Sequence, residues 1–385
     1  MSRVRIAAFA AALAVSSFQA FSAPHRPAPS VVAYVFTHNA ALQTSQIDAH
    51  NLTRINYAFA NIKDGRMVAG SDVDPGNLEI LTDLRHRSPS LTILVSVGGW
   101  LWSTDFSDVA LTRQSRERFI QSVMEFLIHY HLDGLDVDWE YPGMGGAGNL
   151  YRIEDKANFT LLLTGLRRRF DRESQKGGKR LYLTVAAGAS DEFLSHTEMA
   201  KVSKVVDTIN LMSYDYYEPG AGPLTGHHSP LFTNPADPIK ISADASVRAF
   251  EDAGVPAKKL LLGVPFYGHV WGEVADRDHG LFQAGKPVAN GYAPYSLIET
   301  TMLDHGFSRY WDRVSSVPYL YSPEKRIFVS YEDPQSLAAK CDYVLSHKLG
   351  GIMFWEYSGD PSGQLLETIY SSLHRSAHGA AATRQ

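Results

Sequence analysis

Short apolar runs alternate with amphipathic stretches along most of the chain. Eight runs have the length and composition of β-strands, and they cover residues 31–36, 55–60, 91–97, 134–139, 181–187, 205–212, 260–266 and 351–355. Segments with helical spacing lie between several of them, at 116–130, 154–170, 242–253 and 336–347. This alternation predicts parallel strands joined by helical crossovers. Eight repeats favour a closed (β/α)8 TIM barrel of the α/β class over an open doubly wound sheet.

One interval departs from the repeat. Residues 270–334 separate the seventh and eighth predicted strands and are too numerous for a plain connection. They are rich in Tyr and punctuated by Gly and Pro, as in a compact unit with its own short elements. We therefore predict a barrel over 31–375 that carries a small α+β insertion over 270–334, between strands seven and eight.

The N-terminal residues have the pattern of a secretory signal peptide. Arg3 and Arg5 precede the apolar run 6–15, and the small residues Ala20, Ser22 and Ala23 follow. The run is too short to span a bilayer, and no later stretch approaches the roughly 18 apolar residues of a spanning helix. We predict a signal peptide over 1–23 and export to the cell exterior, or to a periplasm. A frayed hydrophobic N-terminus is the alternative.

Composition and charge narrow the class of protein further. Of the 385 residues, 44% are hydrophobic and 20% are charged, a balance that excludes a disordered or collagen-like chain. The net charge of -5 gives no electrostatic reason to expect a nucleic-acid partner. Cys341 is the only cysteine, so no intramolecular disulfide and no multi-cysteine metal site can form.

Acidic residues concentrate on one face of the fourth predicted strand. Asp136, Asp138 and Glu140 occupy alternate positions, and the residues between them are apolar. In a barrel the apolar face of a strand meets the helices, so the carboxylates point inward. Burial of carboxylates costs free energy, and such a cost is expected where the carboxylates have a function. Glu140 lies at the carboxyl end, where barrel active sites are built. Neighbouring carboxylates share protons, and a raised pKa suits a general acid near neutral pH.

The acidic spacing leaves alternatives open when it is taken alone. Acidic residues make up 41 of the 385 positions, so a four-residue pattern of them is only suggestive. A solvated acidic strand edge is one alternative. A divalent metal site is another, because Asp-x-Asp-x-Glu offers oxygen ligands.

Motifs at the other strand ends add specificity. Together with Asp133-x-x-Asp136-x-Asp138-x-Glu140 they closely resemble the family 18 glycoside hydrolases, the chitinases, over about residues 31–373. The motifs are Asn56-Tyr-Ala-Phe59, Ser96-Val-Gly98-Gly99-Trp100, Met212-Ser-Tyr214-Asp215, Gly-His-His-Ser-Pro at 226–230, Gly-Val-Pro-Phe-Tyr at 263–267 and Phe354-Trp355-Glu356.

The resemblance implies roles for the acidic residues. Glu140 is expected to be the proton donor, and Asp138 to position the acetamido group of the substrate. Asp136 is expected to share a proton with Asp138, supported by Ser96 and Tyr34.

It also implies a substrate-binding wall and floor. Tyr214 is expected to hydrogen-bond the acetamido carbonyl, with Met212 and Asp215 completing that wall. Trp355 is expected to be the apolar floor under the sugar at the cleavage site, and Trp100 to stack on the sugar beyond it.

Further binding residues follow from the same resemblance. Tyr57 and Phe59 are expected to help close the pocket from the second strand. Gly99, Tyr141 and Tyr267 complete the expected substrate-binding set.

The function implied by the resemblance is hydrolysis of β-1,4 linkages between N-acetylglucosamine units, with retention and with the substrate as its own nucleophile. Chitin or its oligosaccharides are the expected partners, and no cofactor, metal or membrane is expected. The chain is expected to be a monomer. One departure is His269, where many relatives have Arg, which puts a polar contact with the sugar in doubt.

Two other functions fit the same barrel. One is a non-hydrolytic chitin-binding lectin, although such relatives typically lose the terminal Glu, which is present here as Glu140. The other is an endo-β-N-acetylglucosaminidase that acts on glycoprotein glycans.

Overall fold

A computed structural model describes residues 28–375. The predicted signal peptide, 1–23, lies outside these residues. The strands are β1 (Ser30–Phe36), β2 (Arg54–Lys63), β3 (Arg66–Ala69), β4 (Thr92–Gly98), β5 (Gly134–Asp138), β6 (Tyr182–Gly188), β7 (Thr208–Met212), β8 (Leu260–Pro265), β9 (Tyr267–Gly272), β10 (Lys286–Pro294), β11 (Ser308–Asp312), β12 (Val317–Ser322), β13 (Ile327–Ser330) and β14 (Gly351–Trp355).

Helices connect most of these strands. They are α1 (Asp74–Asp83), α2 (Phe106–Leu111), α3 (Arg113–His129), α4 (Asp155–Gln175), α5 (Asp191–Ser195), α6 (Met199–Val202), α7 (Ala243–Asp252), α8 (Tyr295–Thr301), α9 (Pro334–Ser346) and α10 (Gln364–Leu373). None of the helices within 28–375 is both long and apolar enough to cross a membrane.

Eight parallel strands close into a barrel in the order β1, β2, β4, β5, β6, β7, β8, β14, and β14 pairs with β1. The fold class predicted from the sequence, a (β/α)8 TIM barrel, is therefore confirmed. Each predicted strand overlaps an observed one. β7 begins later than predicted, at Thr208, because the amides of Val205 and Val206 donate to the carbonyl of Val202 in a turn after α6.

The alternation predicted for β5 governs how the barrel packs. Val137 and Trp139 belong to the main apolar core, and the Trp139 ring stacks on Phe106 of α2 with 5.2 Å between ring centroids. Asp136 and Asp138 occupy the opposite face, inside the barrel, and both are buried. Burial of the apolar face fixes the register of β5, and a slip by one residue would turn the carboxylates toward the helices.

A second sheet follows β8 in the chain after a single residue. Its five antiparallel strands pair in the order β10, β9, β13, β12, β11. It has its own apolar cluster, centred on the buried side chains of Trp271, Tyr321 and Phe328. Because β9 continues from the carboxyl end of β8, this sheet stands beside the end of the barrel where active sites form. The division into a barrel over 31–375 and an insertion over 270–334 stays a prediction.

Candidate active site

A cleft of about 640 Å³ opens at the carboxyl ends of the barrel strands. Both Asp138 and Glu140 line it, and so does the second sheet, through Tyr267, His269 and Tyr292. Aromatic side chains are prominent elsewhere in its wall, among them Tyr34, Phe36, Phe59, Trp100, Trp102, Tyr141, Tyr214 and Trp355. A cleft with aromatic walls and a few buried carboxyl groups suits a ligand whose rings have apolar faces, which stack on aromatic side chains, and polar groups at their edges, which hydrogen-bond to the carboxyl groups.

Asp136 lies at the bottom of the acidic column and is held by four donors. Its Oδ2 accepts 2.8 Å hydrogen bonds from the hydroxyls of Tyr34 and Ser96. Its Oδ1 accepts from the Thr184 hydroxyl and, at 3.1 Å, from the Asn210 amide. Burial raises the pKa of Asp136, and these hydrogen bonds oppose the rise. Within the described residues its contacts are with these donors, and no hydrogen bond joins it to Asp138.

Asp138 differs from Asp136 in that one of its carboxylate oxygens lacks a hydrogen-bond donor within the described part of the chain. Its side chain is buried, and its Oδ1 has no hydrogen-bond partner among the residues that the structure describes. Burial, and then the charges of Glu140 and Asp136, raise the pKa of Asp138 well above its usual range. An unpartnered buried oxygen is costly, so a ligand that donates an N–H to Asp138 gains by satisfying it.

Glu140 lies two residues after the end of β5 and lines the cleft. Its backbone amide donates a 2.9 Å hydrogen bond to the Ser103 hydroxyl, which ties the residue to the loop after β4. Burial raises the pKa of Glu140 to about 7; the Tyr141 hydroxyl opposes this rise, whereas the negative charges of Asp215 and Glu218 add to it. A carboxyl group with this pKa can donate a proton near neutral pH and take one back.

The wall after β7 holds Tyr214 and Asp215, and Met212 lines the cleft beside them. Asp215 Oδ1 accepts hydrogen bonds from Tyr267 Oη at 2.6 Å and His269 Nε2 at 2.8 Å. Burial raises the pKa of Asp215, but the close approach and the charges of its two histidine neighbours, His228 and His269, outweigh burial and lower that pKa below the usual range. Asp215 is therefore a fixed anion in the wall.

Trp355 provides an apolar surface at the end of β14. Its ring stacks on Phe59 and Phe36, with centroids 5.5 and 5.8 Å apart, and also contacts Tyr34. Trp100, after β4, is 50% exposed and meets the edge of Tyr141 at 6.3 Å. The exposed indole of Trp100 and the indole of Trp355, which packs on Phe59 and Phe36, are both suited to stacking against sugar rings.

The structure brings Phe59 to the cleft but not Tyr57, which corrects the expectation for that residue. Tyr57 points to the helix side, is 1% exposed, and donates a 2.7 Å hydrogen bond to Asp74 of α1. A bulge in β2 explains the split, because Ala58 pairs with Ser96 and Ala60 with Val97, leaving Phe59 as the extra residue.

Gly99 supports the cleft from behind rather than lining it. Its φ is +89°, and its amide donates a 2.7 Å hydrogen bond to the Asp138 carbonyl. A Cβ at this position would meet the Phe59 ring at 2.7 Å, so the close approach requires glycine. Ser96 is likewise a support, reaching Asp136 and not the cleft.

Sequence reasoning missed several residues that shape the site. Thr184 and Asn210 are polar residues at inward positions of β6 and β7, and that inward polarity was the available signal. His228 lies 3.6 Å from Asp215, and both residues belong to the long connection between β7 and α7, where no local spacing pattern predicts their contact.

Comparisons with known proteins agree with this geometry. Residues 30–360 match the family described as glycosyl hydrolases family 18. Chitinase A1 of Niallia circulans is 37% identical over 90% of this chain, and the match spans 57% of that protein, little more than half of its length. Chitotriosidase-1 of Mus musculus is 32% identical, covering 80% of this chain and 67% of that protein.

A solved structure gives the same answer at the level of the fold. The family 18 N-acetylglucosaminidase from Paenibacillus barengoltzii superposes with a TM-score of 0.83 at 39% identity, covering 89% of this chain and 99% of that one. The match of the family over most of the chain, the closed barrel and the acidic column at the end of β5 all point the same way. The chain belongs to glycosyl hydrolase family 18.

Proposed function

We propose that the protein is a secreted chitinase that hydrolyses β-1,4 linkages between N-acetylglucosamine units and retains the configuration at the anomeric carbon. The observation that carries the proposal is the pair formed by Asp138 and Glu140 in an aromatic cleft. Glu140 has a pKa of about 7, as a proton donor needs, while Asp138 has a buried oxygen without a partner. The pair offers one group for the glycosidic oxygen and another for an amide N–H.

The position of the carboxyl groups supports a nucleophile supplied by the substrate. A retaining enzyme of the usual kind needs a second carboxylate facing the acid across the sugar, about 5–5.5 Å away. Asp138 precedes Glu140 by two residues on the same strand face, which is the wrong side of the sugar. Asp215 also lines the cleft, but Tyr267 and His269 occupy its Oδ1. Family 18 is a known exception to the two-carboxylate scheme.

The reaction then runs in two steps. In the first, Glu140 gives its proton to the leaving oxygen as the 2-acetamido carbonyl oxygen attacks C1, so that the glycosidic bond breaks and an oxazolinium ion forms. Asp138 accepts the amide N–H and stabilises the positive charge, and the Tyr214 hydroxyl orients the carbonyl. In the second, Glu140 takes a proton from water, which attacks C1 and opens the ring. The product has retained configuration.

Neighbouring groups fit these roles. Burial raises the pKa of Tyr214 well above its usual range, which keeps its hydroxyl protonated as a donor. Trp355, supported by Phe59 and Phe36, is the proposed floor under the reacting sugar, and Trp100 is a stacking surface further along the cleft. Export is supported by the signal-peptide pattern of residues 1–23.

A second candidate is an N-acetylglucosaminidase of different substrate range, such as an endo-β-N-acetylglucosaminidase on glycoprotein glycans. The N-acetylglucosaminidase from Paenibacillus barengoltzii, which is 39% identical, supports an N-acetylglucosaminidase activity in general, and its name specifies no glycan substrate. The same residues would serve both activities, because both cleave beside an N-acetylglucosamine unit.

Product analysis separates the two candidates. Chitin oligosaccharides and a free glycoprotein glycan are incubated separately with the enzyme, and products are followed over time by chromatography and by ¹H NMR of the anomeric proton. The proposal predicts progressive shortening of the chitin oligosaccharides, with the β-anomer formed first, and no release from the glycan. Cleavage of the glycan alone would favour the second candidate.

A further inference from the structure

Asp215, His228 and His269 form a compact cluster in the wall of the cleft. Their potential ligand atoms, one carboxylate oxygen and two imidazole nitrogens, all lie within 4.8 Å of one another. His269 Nε2 is 2.8 Å and His228 Nδ1 is 3.6 Å from the same oxygen, Asp215 Oδ1. The three residues come from the end of β7, the loop before α7, and β9, so the tertiary fold alone brings them together.

The histidines of this cluster have nitrogens that other contacts do not account for. His228 is 0% exposed, and within the described residues neither of its ring nitrogens has a hydrogen-bond partner. The 3.6 Å separation from Asp215 is longer than a hydrogen bond. His269 is 8% exposed, and only its Nε2 is engaged, with Asp215. A buried polar side chain without a partner calls for a further ligand, such as an ion or a water molecule.

We propose that Asp215, His228 and His269 bind a zinc ion. Two imidazole nitrogens and one carboxylate oxygen are a ligand set that zinc favours, with bonds of about 2.0–2.2 Å. Tetrahedral bonds of that length place ligand atoms about 3.4 Å apart. The separations of 2.8 and 3.6 Å from Asp215 Oδ1 lie on either side of this value, and all three ligand atoms lie within 4.8 Å of one another, so zinc binding requires side-chain movements of the order of these differences. The ion replaces the hydrogen bond between Asp215 and His269.

The donor set also selects the type of ion. Calcium takes about 6–8 oxygen ligands and magnesium demands octahedral oxygen coordination, whereas this cluster offers one carboxylate and two imidazoles. Three protein ligands leave the fourth position of a tetrahedral zinc ion open. Asp215 and His269 both line the cleft, so that position faces the substrate side.

Bound zinc is therefore an inhibitor of this enzyme and not a participant in catalysis. An ion between Asp215 and His269 occupies the wall beside Tyr214 and adds positive charge near Glu140. It competes with an oligosaccharide for that part of the cleft. This consequence rests on the proposed function, while the binding of zinc itself does not.

The test measures zinc binding to the full chain in the absence of any saccharide. Isothermal titration calorimetry with zinc chloride is run on the wild type and on the variants His228→Asn and His269→Gln. His279→Asn is the matched control, because His279 is an exposed histidine outside the cluster that stacks on Tyr310. Titration with cobalt(II) adds a visible spectrum that reports tetrahedral coordination by nitrogen and oxygen. Thermal unfolding of each variant checks that it is folded.

The proposal predicts one zinc ion per chain in the wild type and in His279→Asn. Affinity falls by at least about 10–100-fold in each cluster variant, because a ligand is lost outright. Absence of zinc binding in the wild type, or binding that persists in both cluster variants, overturns the proposal. Inhibition is scored separately on chitin oligosaccharides. A zinc-free enzyme without hydrolytic activity counts against the proposed function, and calorimetry still decides the zinc site.

Discussion

The Tyr34 hydroxyl donates a 2.8 Å hydrogen bond to Asp136 Oδ2, across the barrel interior from β1 to β5. The Asn210 amide donates to the same hydroxyl at 2.8 Å, so the Tyr34 hydroxyl accepts a hydrogen bond from Asn210 and donates one to Asp136. The Tyr34 ring also contacts Trp355, with centroids 5.9 Å apart. One side chain thus connects the base of the acidic column with the apolar floor of the cleft.

Tyr34→Phe tests this connection, because it keeps the ring beside Trp355 and removes the donor. Loss of a buried hydrogen bond to a carboxyl group is expected to lower the free energy of unfolding by about 1.5–3 kcal/mol. We also expect kcat to fall more than KM changes, since the pKa of Asp136 rises beneath Asp138. Denaturant unfolding and steady-state kinetics measure the two effects. Tyr343→Phe is the control, because its hydroxyl bonds Asp244 at 3.0 Å outside the cleft; it should leave kcat unchanged.

Glu140→Gln tests the proton donor. The amide cannot donate a proton to the leaving oxygen, so we expect kcat to fall by about 10²–10⁴-fold or more. Binding of a chitin oligosaccharide, measured by calorimetry, should be retained, because the cleft wall is unchanged. Glu117→Gln removes an exposed carboxyl group from α3 and serves as the matched control. Near-normal turnover in Glu140→Gln would remove Glu140 from its proposed role.

The raised pKa of Glu140 predicts a pH dependence of stability. The folded state holds the proton of Glu140 up to a pH of about 7, whereas the unfolded chain loses it near the ordinary glutamate pKa of 4.5. The contribution of this group to stability is therefore complete below pH 4.5 and is lost as the pH rises through about 7. Glu140→Gln, which stays neutral, should melt above the wild type at pH 8, and the difference should shrink toward pH 4.5. A difference that grows on acidification contradicts this burial of the carboxyl group.

Removal of metal ions should leave hydrolysis unchanged. The oxygens of Asp136 meet protein donors, and the proposed reaction assigns Asp138 to an amide N–H and Glu140 to proton transfer. The rate on a chitin oligosaccharide, measured before and after exhaustive chelation, should agree within error. The starting enzyme is prepared free of zinc, so that relief of the inhibition proposed for zinc at Asp215, His228 and His269 does not enter the comparison. A loss that magnesium or calcium restores would revive the metal alternative for Asp-x-Asp-x-Glu.

Much of the barrel follows from local sequence. Periodicity predicted the eight strands, and alternation alone placed Asp136 and Asp138 on the inward face of β5. Regular alternation would place Tyr57 and Phe59 on the same face of β2, and this prediction failed. A bulge at Phe59 turns that ring into the cleft, while Tyr57 faces α1. A bulge depends on pairing with the neighbouring strand, so the sequence of β2 did not reveal it.

Residues that act through distant contacts were the hardest to predict. From the sequence, Thr184 and Asn210 are recognisable only as polar residues at inward positions. Both donate hydrogen bonds to Asp136, and this shared partner follows only from the register of β6 and β7 relative to β5. The approach of His228 and His269 to Asp215 depends on the path of a long loop and on the second sheet. Neither is encoded in the spacing of a single element.

In the proposed mechanism, the acetamido group of the substrate is the nucleophile. The most direct measurement is kcat/KM for chitin oligosaccharides in which the acetyl methyl on the non-reducing side of the cut carries one, two or three fluorine atoms. Fluorine withdraws electrons from the carbonyl oxygen, while the size of the acetyl methyl group changes little. We expect kcat/KM to fall steeply and progressively with each added fluorine. Rates that do not depend on fluorination, or efficient cleavage when the acetyl group is absent, would contradict it.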